Sequence, residues 1–174
     1  MAQYVGITLL GPWKKVENLF KTLAPNIKAA AIGGQRKIAE KYHRKILNHL
    51  RNQDISGWTP LNPAYADFKM AKYGHEDILI ASWKYYNSIS VWRSNNMYHV
   101  GVPRGIKYRN GNEVAKIAYI HETWSSIPGK PYRPLWGYTF NEDLGGLKGV
   151  WRIINNHIKI KLNSQGYKVR PIKL

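Results

Sequence analysis

Three consecutive residues, His75, Glu76 and Asp77, are the group in this sequence whose types are most suited to chemistry. An imidazole next to two carboxylates could hold a divalent metal, as a metal-dependent nuclease requires. Adjacent side chains diverge on a helix, however, and the position just after Gly74 is typical of a helix cap, where acids satisfy free N–H groups. The sequence favours a cap over a catalytic site.

Other patterns of catalytic or metal-binding residues are missing from the sequence. The chain has no cysteine, which excludes disulfides, thiolate metal sites and cysteine nucleophiles. No serine lies in a G-x-S-x-G elbow, and no two acids stand out as a matched acid and base. His121 and Glu122 begin like a zinc-protease helix, but Ser125 stands where the second histidine is needed, and the segment is predicted as a strand. We therefore expect no enzymatic activity, no metal and no cofactor.

The formal net charge of +17 is unevenly distributed along the chain. Residues 1–53 hold ten Lys and Arg against two acids, and residues 144–174 hold seven against none. Residues 54–143 are nearly balanced, with ten against eight. Two basic ends indicate a polyanionic partner or an acidic protein surface, although a solubilising surface would also explain them.

The length and composition predict one folded domain. A chain of 174 residues with 44% apolar residues can bury a real core. Its first apolar stretch is too short to span a membrane and lacks the features of a secretory signal, so we expect synthesis in the cytoplasm and no membrane. Within 1–174 we predict a basic helical region at 1–53, a central region with short helices and a β-meander at 54–143, and a C-terminal helix with a basic tail at 144–174.

Helical periodicity dominates the N-terminal region. Pro25 is predicted to end a first helix, and Asn26 to cap a second that reaches about residue 51. Gly33 and Gly34 inside the second helix mark a bend or the close approach of another helix. A phosphate-binding glycine loop is the alternative, but no strand precedes these glycines.

Turn residues divide the central region. Pro60 and Pro63 predict a turn that leads into a helix at about residues 63–73, which Gly74 ends. A short helix is predicted to follow, and it leads into the strand "SISVWR". The turn "SNN" then joins this strand to "MYHVGV" as an antiparallel hairpin.

The sequence "VAKIAYIHE" is predicted as a third strand, after a turn at Asn110 and Gly111, so that a small antiparallel meander forms. Prolines make residues 125–135 an extended segment. Asn141 or Asp143 is predicted to start the last helix, whose apolar stripe comprises Leu147, Val150, Trp151, Ile154, Ile158 and Leu162. The predicted fold class is α+β, with N-terminal helices and a C-terminal helix packed on a small antiparallel sheet.

Aromatic and basic residues alternate in "WKYYNSISVWR" and "KYRNG", as in surfaces that stack nucleic-acid bases. A stand-alone nucleic-acid-binding protein is therefore one functional hypothesis. No RNP-type strand, helix-turn-helix spacing or zinc finger accompanies these segments, and aromatic residues in strands are more often core or interface. A small metal-dependent nuclease at His75, Glu76 and Asp77 stays open as another hypothesis.

Short motifs occur in order from about residue 55 to the last helix, over some two thirds of the chain. Their residues are Gly57, Trp58, Pro60, Leu61, Ile78, Leu79, Ser82, Ser88, Ile89, Val100, Gly101, Ala118, Tyr119, Ile120, His121, Glu122, Pro131, Arg133, Pro134 and Leu135. In this order and spacing the chain resembles the virion-morphogenesis and tail-completion proteins, which join head to tail in tailed bacteriophages. It departs from that family at Trp83, where glycine is frequent, and at Thr123 and Trp124, which replace a Phe-Gly pair.

The resemblance implies a structural virion protein of the neck or tail terminus without catalysis. It implies a closed cyclic oligomer, sixfold in the resembling proteins, and a location in the virion after a stage in the host cytoplasm. Its partners would be other copies, together with neck, portal-adaptor, tail-terminator or tail-tube proteins. Non-specific contact with genomic DNA is also implied.

Two groups of residues are expected to carry these contacts. Interface or architectural roles are expected for Trp58, Pro60, Leu61, Trp83, His121, Glu122, Trp124, Arg133, Pro134 and Trp136. Of these, His121 and Arg133 are expected to anchor a strand end against the proline-rich turn, and Trp58 either packs its own loop on the core or contacts another subunit. A surface facing DNA or an acidic partner is expected from Lys28, Arg36, Lys37, Lys41, Arg44, Lys45, Lys159 and Lys161.

Overall fold

The structure is a computed structural model that describes residues 13–80, 82–123 and 131–168. The side chains of residues 13–17 and 20 are also outside the described part. The chain forms, in order, α1 (Trp13–Asn52), α2 (Pro63–Tyr73), α3 (Lys84–Ser88), β1 (Ser90–Ser94), β2 (Met97–Gly101), α4 (Val114–Thr123), α5 (Trp136–Tyr138), a π-helical turn (Thr139–Asp143) and α6 (Gly146–Ser164).

The two helices predicted for the N-terminal region are one continuous helix of 40 residues, so the predicted break at Pro25 is wrong. A proline inside a helix removes one backbone hydrogen bond and crowds the preceding turn, which bends a helix more readily than it ends one. Pro25 and its neighbour Ala24 are exposed, so water can hydrate the backbone around the proline. The helix continues through it.

The glycine pair in α1 lies where α6 crosses. A Cβ atom on Gly33 would lie 2.7 Å from Nε2 of His157, and one on Gly34 would lie 3.3 Å from the Cα of Ile154. Both distances are shorter than normal van der Waals contact, so larger residues would push the helices apart. The predicted close approach of a second helix is confirmed, and the phosphate-binding loop is excluded because both glycines are helical.

The helix α2 forms as predicted. The Asn62 side chain accepts a hydrogen bond from the backbone N–H of Ala64 at 3.0 Å, and Pro63 occupies the first turn. Gly74 ends the helix in the left-handed conformation, with φ of +76°, which glycine adopts without steric cost. The turn chemistry in the sequence was sufficient here.

The helix cap predicted at His75, Glu76 and Asp77 is wrong, because this segment follows the end of α2 and no helix starts within it. The carbonyl oxygen of Asp77 accepts hydrogen bonds from Nζ of Lys69 and from the backbone N–H of Ile80. The Nδ1 atom of His75 lies 3.4 Å from Oδ2 of Asp77. Within residues 13–80, 82–123 and 131–168, no three His, Asp or Glu side chains are grouped as a metal site would require.

The predicted hairpin forms, with Ser90 opposite Gly101 and Ser94 opposite Met97. Asn95 and Asn96 make the turn with φ of +48° and +63°. Two successive positive φ angles match the right-handed twist of the flanking strands, and asparagine tolerates them better than most residues.

The prediction of a third strand is wrong. Residues 114–123 form α4, and the sheet in the described part has two strands. Val114 and Ala118 are buried one helical turn apart, whereas Tyr119 is exposed. A short apolar run fits either element, and packing against the core decides between them. Only one isolated bridge, between Lys107 and Glu113, remains of the expected pairing in these residues.

The last helix starts later than predicted. Asn141 and Asp143 belong to the π-helical turn, and α6 begins at Gly146 after Gly145, with φ of +57° and +70° respectively. Asp143 does not cap α6 because its carboxylate is paired with residues of α1. The predicted stripe is only partly buried, since Leu162 is in the core but Leu147 and Trp151 are exposed.

The core joins α1 to the segments that follow it. Its fully buried side chains are Ile46, Leu50, Ile80, Val114 and Leu135. The helix α1 also packs along α6 and against the hairpin. The fold class is α+β, as predicted. Within the described residues, no helix combines the length and the apolar character needed to cross a membrane.

Candidate interaction surfaces

The aromatic turn near residue 58 is bound to the proline-rich segment around residue 133. The indole Nε1–H of Trp58 donates to the carbonyl of Pro134 at 2.7 Å, and the Trp58 side chain lies in the core. The Arg133 guanidinium is buried and donates to the carbonyls of Thr59 at 2.8 Å and Pro60 at 3.1 Å. Trp58 and Arg133 therefore hold the two segments of the chain together.

Glu122 is the residue that fixes the start of α5. Its two carboxylate oxygens accept hydrogen bonds from the backbone N–H groups of Leu135 at 2.9 Å, Trp136 at 3.1 Å and Gly137 at 2.7 Å. Three charge-assisted hydrogen bonds from consecutive residues hold this turn in one conformation. Glu122 thus has an architectural role within the subunit.

His121 and Trp136 complete this junction. The backbone carbonyl of His121 accepts from the N–H of Arg133 at 3.3 Å. Burial and the nearby charge of Arg133 lower the pKa of the His121 imidazole. The indole of Trp136 donates to the hydroxyl of Tyr85 at 3.1 Å. Burial raises the pKa of Tyr85, so this phenol stays neutral at physiological pH.

Three of the predicted interface residues lie closer to the surface. Trp83 is 41% exposed and has a left-handed backbone with φ of +58°, and its ring contacts those of His75 and Tyr86. Pro60 is exposed and Leu61 half-buried, both on the aromatic turn. Trp124 is outside the described residues, as are the rest of residues 124–130 and the tail from residue 169.

The predicted basic residues divide into those without an ion pair in the described residues and two, Arg36 and Lys45, that pair with a carboxylate. Lys28, Lys37, Arg44 and Lys161 are exposed, and Lys41 and Lys159 are half-buried. Arg36 pairs with Glu40 on the same helix at 2.7 Å, and Nζ of Lys45 pairs with Asp143 at 2.9 Å. Lys45, which the sequence assigned to an outer surface, is therefore paired with Asp143 within the chain.

Lys37 of α1 and Lys161 of α6 both lie close enough to His157 of α6 to act on its charge. Burial and then the positive charges of Lys37 and Lys161 lower the pKa of His157, which lies between the two helices. The two strongly basic ends of the sequence thus meet where α1 and α6 pack. We call Lys37, His157 and Lys161 the α1–α6 basic surface.

The chain matches no family model, no curated protein and no solved structure.

Apolar side chains on the outer side of α6 form a surface that the sequence assigned to the core. Leu147 is 71% exposed and Trp151 is 55% exposed. They are four residues apart on one helix, so their side chains are neighbours. We call these two residues the α6 apolar patch, and Lys148 and Arg152 lie exposed beside them.

The sequence also gave no reason to single out His49, which joins three segments. Its Nδ1 lies 2.5 Å from Oδ1 of Asp54, and its Nε2 lies 2.6 Å from Oδ2 of Asp143. Burial alone would lower the pKa of His49, but the hydrogen bonds and charges of both carboxylates outweigh it, so the pKa is raised. Both ring nitrogens then donate, and the imidazolium ties α1 to the π-helical turn.

The His49 contact predicts a pH-dependent stability. Its raised pKa means that the stabilisation is complete below the unfolded-state value of 6.5 and is lost as pH rises through the folded-state pKa. Asp143 has a lowered pKa because the hydrogen bonds from His49 and Lys45 outweigh the effect of burial, so its stabilisation is lost only in acid. Chemical denaturation should show the free energy of unfolding falling by about 1–2 kcal/mol as the pH rises from 6.5 through the folded-state pKa.

The same measurement on His49→Gln should give a flatter profile over this range of pH, because glutamine does not titrate. His99→Gln is the matched control, since His99 stacks on Trp92 in the hairpin rather than between carboxylates. An unchanged slope in His49→Gln would show that another group titrates in this range.

Proposed function

We propose that this chain is a structural protein of a tailed-bacteriophage virion, located at the neck or tail terminus, where it helps to complete the tail and join it to the head. In this proposal it acts as a ring oligomer without catalysis. It enters the virion from the host cytoplasm and contacts neck, portal-adaptor, tail-terminator or tail-tube proteins. The ordered motifs from residue 55 onwards support this assignment.

The α6 apolar patch is the observation that carries the proposal. Covering a tryptophan and a leucine that lie side by side on a helix lowers their free energy, so a partner that buries this patch is stabilised by the contact. The exposed Lys148 and Arg152 around the patch favour a partner with acidic groups at its rim. A subunit that uses this patch on one side and a different surface on the other forms a head-to-tail ring.

The backbone at Trp83 gives independent support for the resemblance. In the resembling family this position is often glycine, and here the residue has φ of +58°. Glycine adopts this conformation without cost, whereas other residues are strained by about 1 kcal/mol or more. Trp83 thus has the left-handed backbone conformation that glycine, the residue often found at this position in the resembling family, adopts without strain.

The net charge of +17 limits how such a ring can form. Like-charged subunits repel one another, and the repulsion extends about 10 Å at 0.1 M salt but only about 3 Å at 1 M. Ring formation should therefore be favoured by high salt, by an acidic partner protein or by DNA. In the proposal, DNA in the channel or an acidic portal surface neutralises the α1–α6 basic surface.

Light scattering after size-exclusion chromatography tests this proposal. The full-length protein is expected to form a discrete particle whose mass is a fixed multiple of 20.1 kDa, and its population should grow between about 0.1 M and about 1 M salt. Trp151→Ser should remain a monomer at the same salt, because the α6 apolar patch is lost, with stability within about 0.5 kcal/mol of the parent.

Tyr119→Ser is the matched control, because Tyr119 is 69% exposed on α4 rather than on α6. It should assemble like the parent protein. A parent protein that is monomeric at every salt concentration, with or without DNA, and that is absent from purified virions would contradict the proposal.

A stand-alone nucleic-acid-binding protein is the second candidate, and the α1–α6 basic surface favours it. Such a protein would bind DNA as a monomer at moderate salt, and Lys37→Gln with Lys161→Gln would weaken binding and reduce its salt dependence. A virion joiner should show weak DNA binding that disappears steeply with salt. The same chromatography, with and without a short duplex, separates the two candidates.

A further inference from the structure

A cavity of about 310 Å³ lies between α2, α4 and the loop that precedes α4. Part of its wall is apolar, with Leu79, Ile80 and Ile117 among the lining residues. Asn110 and Asn112 from the loop also line it. Its volume is in the lower range of cavities that bind small organic molecules.

Positively charged side chains line the same cavity. Lys69 is 2% exposed and Arg133 is 7% exposed, and both line the wall together with His121. The visible partners of the two buried cations are backbone carbonyls, that of Asp77 for Lys69 and those of Thr59 and Pro60 for Arg133. Carbonyl dipoles hold these cations in place but do not neutralise their charge.

No carboxylate lines the cavity, and among the described residues none forms an ion pair with Lys69 or Arg133. Burial lowers the pKa of Lys69, and this effect outweighs the carboxylates of Asp77 and Glu76, which raise it, while the charge of Arg133 lowers it further. Burial followed by the Arg133 charge does the same to His121. The wall of the cavity thus carries two buried cations and no carboxylate of its own, and a buried charge is costly unless it is paired.

We propose that this cavity binds a carboxylate attached to an apolar body, with Lys69 and Arg133 facing the carboxylate and the Leu79, Ile80 and Ile117 side chains facing the body. The carboxylate adds a negative charge in direct reach of the two buried cations. The two asparagine amides supply additional donors at the cavity wall. This inference is independent of the proposed virion role.

The apolar wall favours a carboxylate over inorganic phosphate. A phosphate dianion is strongly hydrated and needs donors on all sides, whereas this cavity offers cations together with aliphatic surface. Two sources share the fitting chemistry: a free organic acid, and the carboxylate of a peptide segment from a partner protein. Both present a charged head on an apolar body.

Calorimetric titration of the full-length protein with matched acid and amide pairs tests the proposal and separates the sources. The free-acid pair is 4-phenylbutyrate and 4-phenylbutanamide, and the peptide pair is acetyl-Gly-Gly-Leu-Phe with a free or an amidated C-terminus. At least one acid should bind about tenfold more tightly than its amide, because only the acid forms charge-assisted hydrogen bonds. Inorganic phosphate should bind more weakly than that acid.

Lys69→Met should reduce the difference between acid and amide, since methionine keeps the apolar stem and removes one of the two charges that face the carboxylate. Lys72→Met is the matched control on the same helix, because Lys72 is exposed and lies over the Phe68 and Tyr73 rings. It should leave the difference unchanged. If Lys69→Met does not fold, backbone NMR shifts in the parent protein decide, and they should centre on Asn110, Asn112 and Ala118.

Several results would overturn the proposal. They are equal binding of acid and amide, no binding of either acid, tighter binding of phosphate, an acid preference that is undiminished in a folded Lys69→Met, or NMR shifts away from the cavity. Preference for the peptide acid alone identifies a partner segment as the source. Preference for 4-phenylbutyrate alone identifies a free organic acid.

Discussion

Glutamine in place of Glu122 is expected to lower the free energy of unfolding by about 3 kcal/mol. The carboxylate accepts from the N–H groups of Leu135, Trp136 and Gly137, at distances of 2.7 to 3.1 Å. Glutamine keeps the size but replaces one acceptor oxygen by an NH₂ group, which points a donor at a donor. At least one N–H group is then left without its partner at the start of α5, beside the buried Leu135.

Urea denaturation followed by circular dichroism measures this change. Glu142→Gln is the matched control, because Glu142 is exposed in the π-helical turn, and it should change stability by less than about 0.5 kcal/mol. Equal stability of the two variants would mean that water replaces the carboxylate at α5. That result would remove the architectural role assigned to Glu122.

A methyl group at Gly149 is expected to be still less tolerated. An ideal Cβ atom there would lie 1.6 Å from the carbonyl oxygen of Leu144 and 2.7 Å from its carbonyl carbon. Backbone atoms cannot rotate away as a side chain does, so the turn before α6 must shift. Gly149→Ala should therefore lower the free energy of unfolding by about 3 kcal/mol or more, beyond the usual cost of overpacking.

Thermal unfolding of Gly149→Ala can be compared with Gly57→Ala. A Cβ atom on Gly57 would have no neighbour within 4 Å, and its φ is not in the left-handed region, so this control should be neutral or slightly stabilising. If Gly149→Ala matches the control, the turn at Leu144 is looser than described. The exposure of the α6 apolar patch would then need to be measured directly.

Loss of assembly can be distinguished from loss of folding, because different substitutions affect the two. Glu122→Gln and Gly149→Ala change the interior of a subunit, whereas Trp151→Ser changes the α6 apolar patch, which is exposed. A ring that fails in Trp151→Ser with unchanged stability therefore reports on the contact itself. Stability and oligomer mass should be measured on the same samples.

Most turns and helix ends of the central region could be predicted from the sequence. Asn62 and Gly74 bound α2 as expected, and Asn95 and Asn96 form the hairpin turn. These positions depend on the φ preference and hydrogen bonding of single residues. Such preferences act locally, so no knowledge of the rest of the chain was needed.

The candidate site could be predicted less well. The sequence named Glu122 and Arg133 without showing that both bind backbone groups across the junction near residue 135. It placed Lys45 on an outer surface, where the structure pairs it with Asp143. The cavity around Lys69 gave no sequence signal, because a single lysine in an amphipathic helix is normally exposed.

The sequence by itself determined the α+β class, the hairpin, the boundaries of α2 and the excess of positive charge at both ends. Only the tertiary structure decided that residues 114–123 are helical, that α1 continues through Pro25, and that His49 lies between Asp54 and Asp143. The physical reason is the range of the interactions involved. Turn and cap preferences act within a few residues, whereas burial and charge pairing depend on residues that meet only after the chain has folded.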